Sequence, residues 1–457
     1  MAGRPSHAKA LSLWMNGQRV GEWRIPTRGP MELAYDTAWL AAPEARPLSL
    51  SLPLPLAPVP LTSAAVGHYF DNLLPDYEPI RRRIASRFRL ADTSPFALLA
   101  EIGRDCVGAL QLLPADADAP DVRRIAAEPL TEAGVEQVLD RAVTSTGGMA
   151  SAAEGDDAEF RISIAGAQDK TALLWHEGRW CRPLGATPTT HLFKLPLGLI
   201  GGQSRQIDFK TSVDNEWLCL RLLGLYGLPV PPAQIASFGK HRPLIVERFD
   251  RRLAPATDDG ASAWWLRLPQ EDFCQVFALP PTAKYERDGG PGIVEIAGKL
   301  RLSVNPNAQA DVENFISAQI LFWMLAAIDG HAKNFSLQLL PQGRYRLAPF
   351  YDVLSAWPVA GDAPSQINVH DAKLAMSLRG KSRHRKIFEI QRRHFDSTAK
   401  LCGLASADAL VERILALTPR VIEQVQRELP EGFSQQVLDR TLRGLADMAA
   451  RLAAESG

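Results

Sequence analysis

The chain has few cysteines: Cys106, Cys181, Cys219, Cys274 and Cys402 are the five among 457 residues. None shares C-x-x-C spacing, which argues against a disulfide framework or a zinc site and suits a reducing cytoplasm. Net charge is missing too. Lys plus Arg and Asp plus Glu both number 51, so no global field draws the chain to nucleic acid. No apolar run is long enough to span a bilayer, so no membrane partner is expected. The N-terminus lacks the basic segment and apolar core of a secretory signal. Internal repeats are absent, and so are the G-x-x-x-x-G-K-[ST] and G-x-G-x-x-G phosphate loops.

At 457 residues the chain exceeds one compact core and suggests two or three domains. Residues 1–125 open on apolar segments 11–15 and 19–24 around Asn16-Gly17, a strand–turn–strand pattern. Residues 47–54 alternate apolar and small polar positions and read as a further strand. Helical stretches follow at 66–74 and 77–88, the second with an arginine-rich face of Arg81, Arg82, Arg83 and Arg87. Segments 114–121 and 146–157 read as linkers. Residues 160–255 read as β-rich with one helix over 214–225. Beyond 256 helical periodicity dominates; a late helix carries Ala405, Ala407 and Ala409, with an apolar stripe of Val411, Ile414, Leu415 and Leu417. The expected division is 1–125, a linker region 126–159, 160–255 and 256–457.

The chemistry is carried by Asp329-Gly330-His331-Ala332-Lys333-Asn334, ahead of Phe350-Tyr351-Asp352. Its D-x-x-x-x-N spacing is that of the protein-kinase catalytic loop, where the Asp accepts the proton of the attacking hydroxyl and the Asn holds Mg²⁺. A hairpin, with strands over 335–340 and 344–347 around Pro341-Gln342-Gly343, would return Asp352 to Asn334 as a second metal-holding carboxylate. D-F-G is not spelled, so the ordinary eukaryotic pattern is not matched. Asp-Gly is also a common turn dipeptide. Yet the apolar segment 315–328 delivers a polar cluster at its end, where such groups need either partners or a ligand.

The remaining kinase parts have candidates in kinase order. Segments 161–164 and 171–175 read as strands joined by Ala165-Gly166-Ala167-Gln168-Asp169-Lys170. Its small residues let backbone N–H groups approach phosphate, although an ordinary hairpin turn explains them equally. Lys194 ends an apolar strand and would need an acidic partner if buried; Glu216, on the expected helix, is the candidate. Glu247-Arg248-Phe249, after a short apolar strand, would serve as an adenine hinge or as a solvated charged turn.

Taken together with Tyr69–Asp76, Glu101-Ile102-Gly103-Arg104-Asp105, Pro188-Thr189-Thr190-His191, Ser212–Glu216 and Val246–Arg252, these residues closely resemble the HipA family. That family comprises bacterial serine/threonine kinases that act as toxins of toxin–antitoxin pairs. The resemblance implies a fold that is α/β plus all-α: a kinase-like bilobal fold with an extra N-terminal β-rich subdomain and a helical C-terminal lobe. It implies ATP and Mg²⁺ as cofactors. Asp329 would be the proton acceptor, and Asn334 and Asp352 the metal holders. Ala165, Gly166, Ala167, Gln168, Asp169, Lys170, Lys194, Glu247, Arg248, Phe249, His331, Lys333, Asn334, Tyr351 and Asp352 would line the nucleotide site. Ser163, otherwise a serine in an expected strand, matches the family's autophosphorylation position, where a phosphate would switch the kinase off.

The resemblance further implies an aminoacyl-tRNA synthetase as substrate, typically glutamate–tRNA ligase, and a cytoplasmic location. The expected partner is a small helix-turn-helix antitoxin of the HipB type, with operator DNA reached only through the joint complex. Arg379, Lys381, Arg383, Arg385 and Lys386 form a basic run that would either touch DNA phosphates or lie on a solvated surface. The alternatives are a catalytically idle antitoxin-binding corepressor and a kinase for another acceptor.

Overall fold

The computed structural model describes residues 9–143, 168–202, 205–256 and 262–455. Ser163, Ala165, Gly166, Ala167, the expected strand 161–164 and the linker 146–157 lie outside them. The chain divides into two compact units. One comprises Met1–Leu192, Arg248–Thr282 and Gln338–Arg344; the other comprises Phe193–Glu247, Ala283–Leu337 and Tyr345–Gly457. Among the described residues no helix is long and apolar enough to cross a membrane.

In the first unit, strands Lys9–Met15 and Gln18–Ile25 pair antiparallel through Asn16-Gly17. Asn16 has φ 50° and Gly17 φ 82°, and a two-residue hairpin loop of type I′ needs positive φ at both positions. Strands Glu32–Tyr35 and Leu110–Pro114 complete a four-stranded sheet. Helices Ala64–Asp71 and Pro95–Ile102 supply aromatic rings to its core. Trp23, fully buried, stacks on Phe70 at 3.9 Å between centroids and tilts against Phe96 at 4.9 Å. Ser94 caps the second helix by accepting the Ala97 N–H, with Pro95 in its first turn, a pairing that suits a helix start.

The strand expected over 47–54 is absent. Only a Ser49–Leu52 bridge forms. The Tyr35 phenol instead donates to the Leu52 carbonyl at 2.6 Å and accepts the Leu48 N–H at 2.9 Å, so a side chain satisfies backbone groups that a ladder would otherwise pair. Elsewhere in this unit, strand Arg179–Pro183 pairs with both Lys170–His176 and Ala127–Pro129.

Asp105 lies at the centre of a buried charge cluster in the same unit. It meets Arg251 at 2.9 Å, Arg248 at 3.2 Å and Arg267 at 3.4 Å, and accepts from the Thr189 N–H and hydroxyl. Arg248 also grips Asp250 at 2.8 Å, and Asp250 accepts the Gly108 N–H at 2.7 Å. Burial alone would raise the Asp105 carboxyl, but the guanidiniums of Arg251, Arg248 and Arg267 hold it well below the usual carboxylate range. Its contribution is therefore present above the unfolded aspartate value of about 3.9 and lost as pH falls towards the folded value.

The second unit is mainly helical. Helix Ala308–Met324 is buried along most of its length, and helices Ser212–Leu225, Asp408–Gln426 and Gln435–Ala454 surround the same core. Ala405 and Ala407 precede the late helix, whose buried stripe runs through Leu410, Val411, Ile414, Val421 and Val425. The basic run is not a helical or irregular face: strands Lys373–Arg379 and Arg383–Lys386 form a hairpin. Its arginines turn towards Glu286, with Arg383 at 3.3 Å and Arg379 and Arg385 at 3.9 Å. All five cysteines are free and buried, and burial pushes the Cys219 and Cys402 thiols up to about 12.

Asp105→Asn preserves shape but leaves Arg251, Arg248 and Arg267 without their shared carboxylate. It is expected to cost on the order of 3–5 kcal/mol, read as a lower urea midpoint for the first unfolding transition. A loss under about 1 kcal/mol would show that the cluster behaves like a solvated ion pair.

Candidate active site

The Asp329 loop is held from beneath by aromatic packing. Phe335 is buried, edge-on to Phe315 at 5.2 Å and stacked with Phe322 at 5.7 Å. Gly330 is required at its position, because an added Cβ would lie 2.7 Å from the Phe322 ring. Past the helix, Ala326 adopts φ 47° and Ala327 donates to the Phe322 carbonyl, so the helix ends in a tight left-handed turn. His331 then donates to the Asp329 carbonyl at 2.8 Å and Asn334 to the His331 carbonyl at 2.9 Å. This local turn buries His331, Lys333 and Asn334 while Asp329 stays exposed.

The chain reverses after Asn334 as a hairpin. Leu340 donates to the Arg344 carbonyl at 2.8 Å, Gln342 and Gly343 take positive φ, and Ala348 donates to the Ser336 carbonyl at 2.9 Å. Tyr351 follows, and its hydroxyl donates to the Lys333 carbonyl at 2.9 Å and meets Ser336 Oγ at 2.6 Å. Asp352 comes next with φ 59°, a left-handed conformation that Asp tolerates better than most residues. The amide of Asn334 donates to the Asp352 carbonyl at 3.1 Å and to its carboxylate at 3.4 Å.

Lys194 completes this set. It ends strand His191–Lys194, and its ammonium lies 2.5 Å from Glu216 and 2.9 Å from Asp352. Glu216, from helix Ser212–Leu225, is the more deeply buried acid, with a side chain 3% exposed against 41% for Asp352. Burial alone would lower the Lys194 ammonium, but Asp352 and Glu216 outweigh it and hold it above its ordinary value. The unfolded lysine titrates near 10.4, so the stability gained from the pair is complete at neutral pH and is lost only as pH rises through the higher folded value.

Of the other expected site residues, Gln168, Asp169, Lys170, Arg248 and Phe249 belong to the first unit and Glu247 to the second. Asp169 pairs with Arg83 at 2.6 Å, and Lys170 begins strand Lys170–His176 beside Gln168. Glu247 is exposed at the end of strand Leu244–Glu247. The Arg248 side chain is not a solvated turn. It is buried, bonded to Asp250, Asp105, Thr189 and the Cys106 carbonyl, while its N–H donates to Thr190. The Phe249 carbonyl accepts from Gln338 at 3.3 Å. Tyr285 was missed: its hydroxyl donates to Asp329 Oδ1 at 2.6 Å from 44 positions away, with no local motif to mark it.

A buried lysine between two carboxylates, with an Asn on one of them and an exposed Asp on the same loop as that Asn, is the residue set of a protein-kinase-type phosphotransfer centre. Comparison with known proteins agrees. The HipA-like C-terminal domain matches residues 162–429, and the HipA N-terminal domain matches residues 11–113. A relative named putative kinase Y4mE, from Sinorhizobium fredii, is 30% identical over 445 residues, covering 97% of both chains. The serine/threonine-protein kinase toxin HipA of Shewanella oneidensis is 28% identical over 362 residues, covering 77% of this chain and 76% of that one. A solved structure of Shewanella oneidensis HipA with HipB and operator DNA shares the fold, with TM-score 0.73, 21% identity and 97% of each chain covered. The chain belongs to the HipA family and is an enzyme of the kinase class.

Lys194→Met should leave Glu216 buried without its cation and cost on the order of 3–5 kcal/mol. The double variant Lys194→Met with Glu216→Gln removes both charges and is expected to be more stable than Lys194→Met alone. Denaturation of the four proteins of that cycle gives the coupling directly. Additive losses would mean that the pair is no more than adjacent.

Proposed function

We propose that this chain is an ATP-dependent serine/threonine protein kinase acting as the toxin of a toxin–antitoxin pair. The observation that carries the reading is the connected set Glu216–Lys194–Asp352–Asn334, with Asp329 on the loop that ends in Asn334. Asp329 accepts the proton of the acceptor hydroxyl as its oxygen bonds to the γ-phosphorus, the bond to the β-phosphate oxygen breaks, and ADP leaves. Lys194 neutralises phosphate oxygens, while Glu216 fixes the direction of its ammonium. The Asn334 amide oxygen and the Asp352 carboxylate are hard oxygen donors, which fit the small complement of protein ligands that Mg²⁺ takes beside substrate phosphates. Bound there, the ion would offset phosphate charge. Gln168, Asp169, Lys170, Glu247 and Phe249, with Ala165, Gly166 and Ala167, are proposed to contact the nucleotide, joined by His331, Lys333 and Tyr351.

The acceptor proposed from the family resemblance is an aminoacyl-tRNA synthetase, in the first instance glutamate–tRNA ligase. Ser163 is proposed as the self-modified residue: a phosphate there adds about −1.5 to −2 charge at neutral pH close to where nucleotide phosphates would bind. The solved Shewanella relative was captured with HipB and operator DNA. That supports an antitoxin of the HipB type as partner, with DNA bound through the complex. An idle corepressor would have no chemical need for Lys194, Asn334, Asp329 and Asp352 together. Incubating the purified chain with labelled ATP, Mg²⁺ and cell extract, then identifying the labelled polypeptides, tests activity and acceptor at once.

Asp329→Ala is expected to lower phosphate transfer by about 10²–10⁴-fold with nucleotide binding retained. Near-normal transfer would remove Asp329 from the role of base. In the same assay mass spectrometry should find Ser163 phosphorylated, and Ser163→Ala should abolish that label. A phosphate found only elsewhere would end the self-inactivation reading.

A further inference from the structure

The segment Lys284-Tyr285-Glu286 touches the Asp329 loop at three points. The Lys284 carbonyl accepts the Ala332 N–H at 3.1 Å. The Tyr285 ring stands edge-on to His331, 4.9 Å between centroids at 82°. Its hydroxyl reaches Asp329 Oδ1. The next residue, Glu286, is anchored in the opposite sense. Its side chain is 4% exposed, accepts the Ser377 N–H at 2.6 Å and the Ser377 hydroxyl at 2.7 Å, and faces Arg379, Arg383 and Arg385 of hairpin 373–386. Gly290 lets the chain turn back on itself, because a Cβ there would lie 2.4 Å from the Ala283 carbonyl. One end of this short segment is therefore locked in an arginine-lined hairpin, and the other ends on a carboxylate.

Resting on the reading of Asp329 as base, we propose that Tyr285 is a positioning residue that holds the Asp329 carboxylate in its productive rotamer, with Glu286 as the anchor of the brace. An exposed aspartate is otherwise free to rotate, and rotation would move the accepting oxygen away from an acceptor hydroxyl. A carboxylate offers lone pairs on both oxygens. The phenol occupies Oδ1, and Oδ2 remains to take the acceptor's proton. The Tyr285 ring cannot swing freely, because His331 packs against it and Glu286 is fixed one residue on. The alternative is a blocking role, in which the phenol stands where the acceptor hydroxyl belongs. The two readings predict opposite effects of removing the hydroxyl.

Tyr285→Phe in the full-length chain removes only that oxygen and keeps the ring on His331. With labelled ATP and myelin basic protein as a generic hydroxyl acceptor, kcat should fall by roughly ten- to a hundred-fold, with the KM for ATP and the melting temperature unchanged. A kcat equal to wild type, or a loss carried by KM for ATP, overturns the proposal. A rise in kcat overturns it in favour of blocking. If Phe disturbs the fold, 3-fluorotyrosine at position 285 keeps shape and strengthens the phenol as a donor. It must then change kcat alone, and an unchanged kcat overturns the proposal. Absence of transfer by the wild-type chain to any acceptor, itself included, would overturn the kinase reading and the Tyr285 role with it. Transfer that Tyr285→Phe leaves intact removes the Tyr285 role only.

Discussion

A charge taken out of water must be met by other charges, and this one constraint organises both units. In the second unit the Lys194 ammonium is almost wholly buried, and Glu216 and Asp352 are the groups that make its burial tolerable. The two acids are not equivalent. Glu216 sits deep on helix Ser212–Leu225, whereas Asp352 is partly open to solvent and is also gripped by Asn334. The ammonium is thus pinned on its inner side and leaves an accessible carboxylate on its outer side. The outer partner of the pair is therefore the group that solvent can reach.

The first unit solves the same problem without leaving an outer side. Asp105, Asp250, Arg248, Arg251 and Arg267 are all buried, and backbone groups at Gly108, Cys106 and Thr189 add further hydrogen bonds to them. Removing one member strands the others, so the cluster ties residues 105–108, 189–190, 248–251 and 267 into one arrangement. Arg248 and Asp250 flank Phe249, which means that the segment read as a hinge is held by structural ion pairs on both sides. Charged residues beside a candidate site are here framework rather than contact groups.

The legible parts of the chain were those whose signal is local. Asn16-Gly17 fixed a hairpin because its backbone needs positive φ, and the helix expected over 214–225 forms as Ser212–Leu225. The D-x-x-x-x-N spacing and the return to Asp352 were legible because a short hairpin and a short loop leave little geometric freedom. The illegible parts depend on distant chain. Residues 47–54 alternate like a strand, yet Tyr35 takes the Leu48 N–H and the Leu52 carbonyl, Glu271 takes the Leu50 N–H, and no ladder forms. Arg248 read as part of an adenine hinge or as a solvated charged turn, because nothing in its neighbours announces Asp105, 143 positions earlier. The basic run 379–386 read as a DNA-phosphate contact or a solvated surface, and nothing local announced Glu286, some 90 residues before it, as a buried counter-charge.

That last pairing changes what the hairpin can do. An arginine engaged with a buried carboxylate is less available to phosphate than its place in a basic run suggests, since any outside anion must compete with Glu286 at low local dielectric. Arg383 is the most open of the group, with a side chain 55% exposed, while Arg379 and Arg385 are 20% and 24% exposed. Lys381 lies exposed at the tip. Charge at the tip can therefore meet an acidic surface without disturbing Glu286, whereas charge at the base cannot. Because Glu286 follows Tyr285 directly, disturbance at the base would reach the carboxylate of Asp329 through one residue of chain. In this protein the same arginines that make a surface basic also hold Glu286, the residue next to the one whose hydroxyl meets Asp329.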